Sequence, residues 1–190
     1  EYINFCDEVP LWSAPFGLKL LEYVQYKPNI SALDIGFGAG FPLIELTMRL
    51  GNSCKVYGID PWDDAIARTR KKIVFYNLSN IIIFKGEAES IPLEDNSVDL
   101  IVSNNGINNV GDMDKVFAEC SRVCKPGGQF VQTMNLDKSM FEFYSELEKV
   151  LKELNMLKEI ELMHQHINEK RSPLNEIIPM IQKHGFNIKN

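Results

Sequence analysis

No run of the 190-residue sequence approaches the roughly 20 apolar residues that cross a bilayer, and no signal-peptide pattern opens it. A membrane role is not expected, and the cytoplasm is the expected compartment. Cysteine is sparse: Cys6, Cys54, Cys120 and Cys124 form no CxxC pair, which argues against a disulfide framework and for reduced thiols. Cys120 and Cys124 share a helix face without further ligands, and His164 and His166 point in different directions, so no metal centre is expected. Positive charge is outweighed, and the net charge of −6 with a pI near 5.2 argues against a large nucleic-acid footprint. Internal repeats and Pro-, Gly- or Ser-dense linkers are also missing. What remains is 45% hydrophobic and 24% charged, with 12 Gly and 9 Pro. That composition excludes collagenous, low-complexity and wholly disordered chains, and the length suits one domain, residues 1–190. The first residue is Glu1 rather than Met, so a trimmed start is expected.

Short β-branched runs alternate with helical patterns. Strands are predicted at Ser31–Ile35, Lys55–Ile59, Ile81–Phe84, Val98–Val102 and Gln129–Met134. Helices are predicted at Leu18–Val24, Phe41–Leu50, Pro61–Tyr76 and Asp112–Val123, with Lys125–Gly128 as a turn into the fifth strand. Ser139–Glu169 is strongly helical, Tyr144, Leu147, Leu151 and Leu154 making its packed face, and Leu174–His184 is a last helix closed by Gly185. Phe186–Ile188 reads as a strand just beginning. Parallel neighbours need crossover connections, so this alternation implies an α/β, Rossmann-like, doubly wound and mostly parallel sheet. Residues 1–29 form an N-terminal lid and helix, 30–135 a ligand-binding core and 136–190 a set of C-terminal helices.

The strongest chemical signal is Leu33-Asp34-Ile35-Gly36-Phe37-Gly38-Ala39-Gly40, at the carboxyl end of the first strand. Glycines there let the chain turn sharply and let backbone N–H groups approach a ligand, and the following helix aims its positive end at the same spot. Asp60 ends the second strand, where a carboxylate can accept hydrogen bonds from both hydroxyls of a ribose; alternatively it caps the Pro61 helix. A dinucleotide would bring a pyrophosphate, which favours a third glycine at the helix start and no adjacent anion. Here that position is Phe41, and Asp34 lies just before the loop. Asp34 would repel pyrophosphate and attract a ligand carrying an ammonium and a sulfonium, which describes S-adenosylmethionine.

These residues, with Gly86-Glu87-Ala88-Glu89-Ser90-Ile91-Pro92-Leu93 before Asn96-Ser97-Val98-Asp99, and with Arg122-Val123-Cys124-Lys125-Pro126-Gly127-Gly128, carry a resemblance. The chain resembles the class I S-adenosylmethionine-dependent methyltransferases, and most closely the small-molecule group typified by ubiquinone and menaquinone biosynthesis. The similarity runs in order from about Ile30 to Thr133. It implies that Asp34 and the backbone of Gly36, Phe37, Gly38 and Gly40 hold the methionine end of S-adenosylmethionine, leaving S-adenosylhomocysteine as product. It implies that Asp60 takes the ribose, that Pro61 or Trp62 flanks the adenine, and that Glu87 accepts from the adenine amino group beside the Ala88 backbone. The family usually has Asp at the Glu87 position. Ser103 to Asn105 would line the cleft near the transferable methyl. The resemblance further implies seven strands with an antiparallel last pair, so the C-terminal hairpin is expected to be incomplete and the chain to be part of a longer protein.

The acceptor is less defined. Asn104 and Asn105 could orient a polar acceptor, or simply build a tight turn with their neighbours. The prolines and aromatic that accompany amino-methylation of nucleic acid are missing after Asn104, which favours a small-molecule acceptor. Pro10–Gly17, with Trp12 and Phe16, is a candidate substrate-side lid, or else packs on the sheet. No general base stands out, and displacement at a sulfonium methyl does not require one. Glu89 and the Arg68–Lys72 cluster read as solvated surface. Two other readings remain: a non-catalytic S-adenosylmethionine-binding module or subunit, and a dinucleotide oxidoreductase, which Asp34 and Phe41 disfavour.

Overall fold

A computed structural model describes residues 2–3, 7 and 13–189, so Trp12 and Cys6 lie outside the described residues. The chain forms two compact units, Glu1–Met134 and Asn135–Asn190. In the first, helix α1 (Ala14–Glu22) precedes β1 (Ser31–Ile35), α2 (Leu43–Leu50), β2 (Lys55–Asp60), α3 (Asp63–Phe75), β3 (Ile81–Lys85), β4 (Val98–Asn104), α4 (Met113–Val123) and β5 (Cys124–Thr133). All pairings are parallel and the order is β3-β2-β1-β4-β5, which is the Rossmann-like α/β sheet expected. No sixth strand or antiparallel pair occurs among the described residues, and Phe186–Ile188 forms no strand. No described helix is long and apolar enough to cross a membrane.

The burial pattern explains the order. β1 and β4 are almost wholly buried, as central parallel strands must be, whereas β3 is half exposed at an edge. One face of β1 and its neighbours (Ala32, Val56, Leu100, Val102) packs with Leu43, Leu46 and Leu50 of α2, Ile66 of α3 and Leu20 and Leu21 of α1. Phe37 joins this cluster with no exposed surface, so its side chain is core while its backbone shapes the loop.

Several local expectations are corrected. Helix α1 begins at Ala14 rather than Leu18, with Pro15 in its first turn. The Lys125–Gly128 run is not a turn ahead of the strand. It bulges inside β5, between the pairs Val98–Cys124 and Leu100–Gln129, with Gly127 at φ 78°. The predicted single helix over Ser139–Glu169 is two, α5 (Phe141–Glu153) and α6 (Leu157–Lys170), because Asn155 adopts a left-handed φ of 55° between them. Leu154 is consequently exposed instead of completing a packed face. Helix α7 (Leu174–Lys183) follows, and Gly185, at φ 87°, closes it through its N–H to the Gln182 carbonyl.

The β3–β4 connection contains no helix. Arg122 is a main tie that fastens it to α4 instead. Arg122 on α4 donates to the carbonyls of Leu93 at 2.8 Å and Ile91 at 2.9 Å, and pairs with Asp95 at 2.8 Å and Glu119 at 2.7 Å. Glu119 also accepts the Ile91 N–H at 2.8 Å. The Arg122 guanidinium, and secondarily the Ile91 N–H, outweigh partial burial and keep Glu119 below the usual carboxylate range.

Candidate functional site

β1 lies between β2 and β4, and the chain leaves β1 toward β2 but leaves β4 toward β5. The carboxyl ends of β1 and β4 therefore form the switch point at which open parallel sheets hold ligands. The glycine loop follows β1 there, and the turn Asn105–Gly106 follows β4. Gly36, at φ 73°, lies so close to this turn that a Cβ would sit 2.6 Å from the Gly106 Cα. Ser103, fully buried, donates its hydroxyl to the Ile35 carbonyl at 2.9 Å and locks the two strand ends together. Gly38, at φ 52°, has nothing within 4 Å of where a Cβ would project, so its Cα borders open space, while the N–H groups of Gly36, Gly38 and Gly40 are donated within the protein, to the Ile59 carbonyl, Asp60 and the Phe37 carbonyl.

Two carboxylates sit under and beside the loop. Asp34 has no exposed surface, and neither of its oxygens has a partner in good hydrogen-bonding geometry among the described residues, the Leu43 N–H acting on it only weakly. Desolvation, and after it the Asp60 charge, pushes its pKa well above the usual range; the Leu43 backbone N–H opposes this only in part. Asp60, 6% exposed, accepts the Gly38 N–H on Oδ2 at 2.8 Å and the Trp62 N–H on Oδ1 at 2.9 Å. A carboxylate has about four acceptor positions, so each Asp60 oxygen keeps capacity for a further donor. The helix-cap alternative holds only loosely: Trp62 is the N-cap of α3, and Asp60 bonds the N–H of that cap.

Pro61 and Trp62 are exposed beyond β2, with the Trp62 ring 6.0 Å from that of Tyr2. Glu87 is exposed and Ala88 buried in the loop after β3. Asn104 is engaged by the protein: its Nδ2 donates to the Ser13 carbonyl at 3.0 Å and its Oδ1 accepts from the Thr133 hydroxyl at 2.7 Å. Like Ser103, it contributes position rather than a side chain pointed at open space. Asn105, at φ 58°, is half-buried, and Phe16 is 47% exposed on α1. The structure thus brings Asp34, Gly36, Gly38, Gly40 and Asp60 together, and turns the Phe37 side chain away.

Sequence reasoning missed the groups that hold these loops. The Arg68–Lys72 cluster is a solvated face only at Arg70 and Lys71. Thr69 donates to the Gly38 carbonyl at 3.0 Å, Lys72 donates to the Ala39 carbonyl at 2.8 Å, and Arg68 and Lys72 both pair with Asp7. Glu89 is not a solvated turn residue either. Its Oε1 accepts the N–H groups of Gly111 at 2.7 Å and Asp112 at 3.0 Å, tying the loop after β3 to the start of α4. No local pattern marks these residues, because each partner lies more than 20 positions away in sequence. Cys54, Cys120 and Cys124 are buried thiols, and burial pushes Cys120 and Cys124 upward, as core cysteines behave.

A family model described as "Methyltransferase domain" matches residues 33–132. A demethylmenaquinone methyltransferase of Bacillus mycoides is 31% identical over 123 residues, 65% of this chain and 52% of that protein. The chain spans about half the length of the demethylmenaquinone methyltransferases it matches. Among solved structures, an S-adenosylmethionine-dependent methyltransferase from Aquifex aeolicus superposes with a TM-score of 0.66 at 23% identity, covering 92% of this chain and 81% of that one. A Haemonchus contortus phosphoethanolamine N-methyltransferase bound to S-adenosylhomocysteine superposes with a TM-score of 0.66 at 21% identity, covering 90% of this chain and 36% of that one.

Proposed function

The chain belongs to the class I S-adenosylmethionine-dependent methyltransferases, and we propose that it transfers the methyl group of S-adenosylmethionine to a small-molecule acceptor. The observation that carries this reading is the unpartnered Asp34 carboxyl beneath an open glycine loop, next to Asp60. An acid so buried has no counter-charge against it among the described residues, and a cationic ligand on the loop supplies one. The attraction needs no direct contact, because charges interact strongly across a low-dielectric interior. A pyrophosphate on the same loop would meet two acids, Asp34 and Asp60.

The cofactor, when bound, supplies an electrophilic methyl carbon on a positively charged sulfur. The backbone of Gly36, Gly38 and Gly40 seats its methionine end, and Asp34 favours the positive charges there. Asp60 accepts from the ribose hydroxyls while keeping its bonds to Gly38 and Trp62. Pro61 and Trp62 flank the adenine, with Glu87 and the Ala88 backbone at its amino edge. Residues at the end of β4, Ser103 to Asn105, line the methyl side, and the segment bearing Trp12 and Phe16 covers the acceptor. In-line displacement from a neutral leaving group asks these residues for alignment more than for proton transfer. The net charge of −6 favours a small acceptor over a polyanion, and the demethylmenaquinone methyltransferases among the relatives favour a quinone-like ring.

Calorimetric titration with S-adenosylmethionine, S-adenosylhomocysteine and NAD tests the proposal. Both sulfur nucleosides should bind and NAD should not. Binding of NAD without a response to either sulfur nucleoside would overturn it. Labelled cofactor and a panel of quinone, amine and carboxylate acceptors then identify what is methylated.

A further inference from the structure

The loop that seats the ligand is braced from outside by α3, and the brace extends to the N-terminus. On one side of α3, Arg68, Thr69 and Lys72 lie within about one helical turn of each other. Thr69 is fully buried and donates to the Gly38 carbonyl, while Asp60 accepts the Gly38 N–H, so the two peptide units that flank the Gly38 Cα are both fixed. Lys72 does something different, because its ammonium has two partners of separate origin. It donates to the Ala39 carbonyl in the glycine loop and to Asp7 in the N-terminal segment. Asp7 also takes Arg68 at 2.6 Å, and its side chain is only 12% exposed. Burial pushes the Asp7 carboxyl up, but the hydrogen bonds from Lys72 and Arg68 prevail and hold it below its usual value. The same segment reaches the site at two further points, Tyr2 against Trp62 and the Ser13 carbonyl on Asn104.

We infer that Lys72 is a positioning residue that relays the docking of the N-terminal segment, through Asp7, to the shape of the glycine loop, through Ala39. The inference rests on the loop being the cofactor seat. An ammonium can point three donors at once, so a carboxylate that fixes its position also fixes its bond to the Ala39 carbonyl. Without Asp7 the long lysine stem regains its rotamer freedom, and the carbonyl loses a charge-assisted partner. Ligand affinity at the loop then depends on residues that need not touch the ligand.

The test uses the full chain and two readouts: amide hydrogen exchange of residues 36–40 in the ligand-free protein, and affinity for S-adenosylmethionine. Lys72→Met should speed exchange across the loop and weaken affinity roughly 10- to 100-fold, the worth of a charge-assisted hydrogen bond. Asp7→Asn should move both readouts in the same direction. The double variant should match Lys72→Met alone, because the two act through one chain of contacts. Lys72→Arg, which keeps a charged donor, should retain most of the affinity and protection. Unchanged loop exchange in Asp7→Asn, or additive effects in the double variant, would overturn the relay. If the exchange results hold while the unaltered protein binds neither S-adenosylmethionine nor S-adenosylhomocysteine, the relay stands and the cofactor assignment fails.

Discussion

Asp34 and Asp99 stand at opposite ends of the same sheet, and their surroundings are opposite in kind. Asp99, near the amino end of β4, accepts the Ser31 N–H at 2.9 Å and pairs with Lys125 at 2.8 Å. Partial burial pushes its pKa up, but Lys125, the Ser31 N–H and more distant Lys27 together hold it below the usual range. Asp34, near the carboxyl end of β1, is wholly buried with neither oxygen partnered among the described residues, and desolvation drives its pKa up. A buried acid that the fold satisfies is part of the scaffold. One that the fold leaves unsatisfied lowers stability unless something from outside supplies the missing charge. On the proposed reading, the difference separates the structural end of the sheet from the end that takes the cofactor.

The comparison is broken most strongly at Asp34. Asp34→Asn should weaken S-adenosylmethionine binding by about 2–5 kcal/mol, the cost of removing one partner of a buried charge pair. The same change should raise the thermal midpoint of the ligand-free protein near neutral pH, because folding no longer has to desolvate or protonate an acid at this position. Scanning calorimetry with and without ligand checks both halves. Next in size is Asp60→Ala, expected to weaken cofactor binding by roughly 1.5–3 kcal/mol and to unfasten the Gly38 and Trp62 N–H groups. Titration calorimetry checks it, and an unchanged affinity would remove Asp60 from the ribose assignment.

The two acids also predict opposite pH responses. A carboxyl whose folded pKa is depressed, as at Asp99, Asp7 and Glu119, contributes stability that is present above its unfolded pKa. That contribution is lost as pH falls through the lower folded value. Asp34 has a raised folded pKa, so the folded state holds its proton more tightly and stability declines as pH rises from the unfolded value toward the folded one. Denaturant midpoints against pH should therefore fall on the acid side in every variant that keeps Asp99. The decline on the neutral side should vanish in Asp34→Asn. The smallest effect belongs to Lys125→Met, whose partly exposed pair with Asp99 is worth about 0.2–1 kcal/mol of stability and nothing in cofactor affinity.

Much of the architecture was legible because it is written locally. β1 falls at Ser31–Ile35 as the sequence predicts, and the other strands differ mainly at their ends, since alternating and fully buried apolar runs announce themselves. The glycine loop and Asp60 were legible as a motif with a charge logic. What was not legible depends on single residues or on distant partners. Asn155 interrupts a helical pattern that its neighbours' periodicity continues, and the Lys125–Gly128 bulge is defined only against Val98 and Leu100 on the next strand. Arg122 substitutes for a crossover helix by bonding to Ile91, Leu93 and Asp95 across the connection, which no local pattern encodes. Lys72 and Glu89 look like ordinary surface charges until the fold brings the Ala39 carbonyl and the Gly111 N–H to them. The full burial of Asp34 is likewise a property of the fold, since the sequence gives its charge but not the absence of partners.

On the proposed reading, the unsatisfied acid serves the ligand and the satisfied one serves the fold. The most direct measurement is the affinity of S-adenosylmethionine for Asp34→Asn and Asp99→Asn, titrated side by side against the unaltered protein. A loss on the order of 100-fold is expected for Asp34→Asn and no change for Asp99→Asn. Equal affinity in Asp34→Asn and the unaltered protein would contradict it.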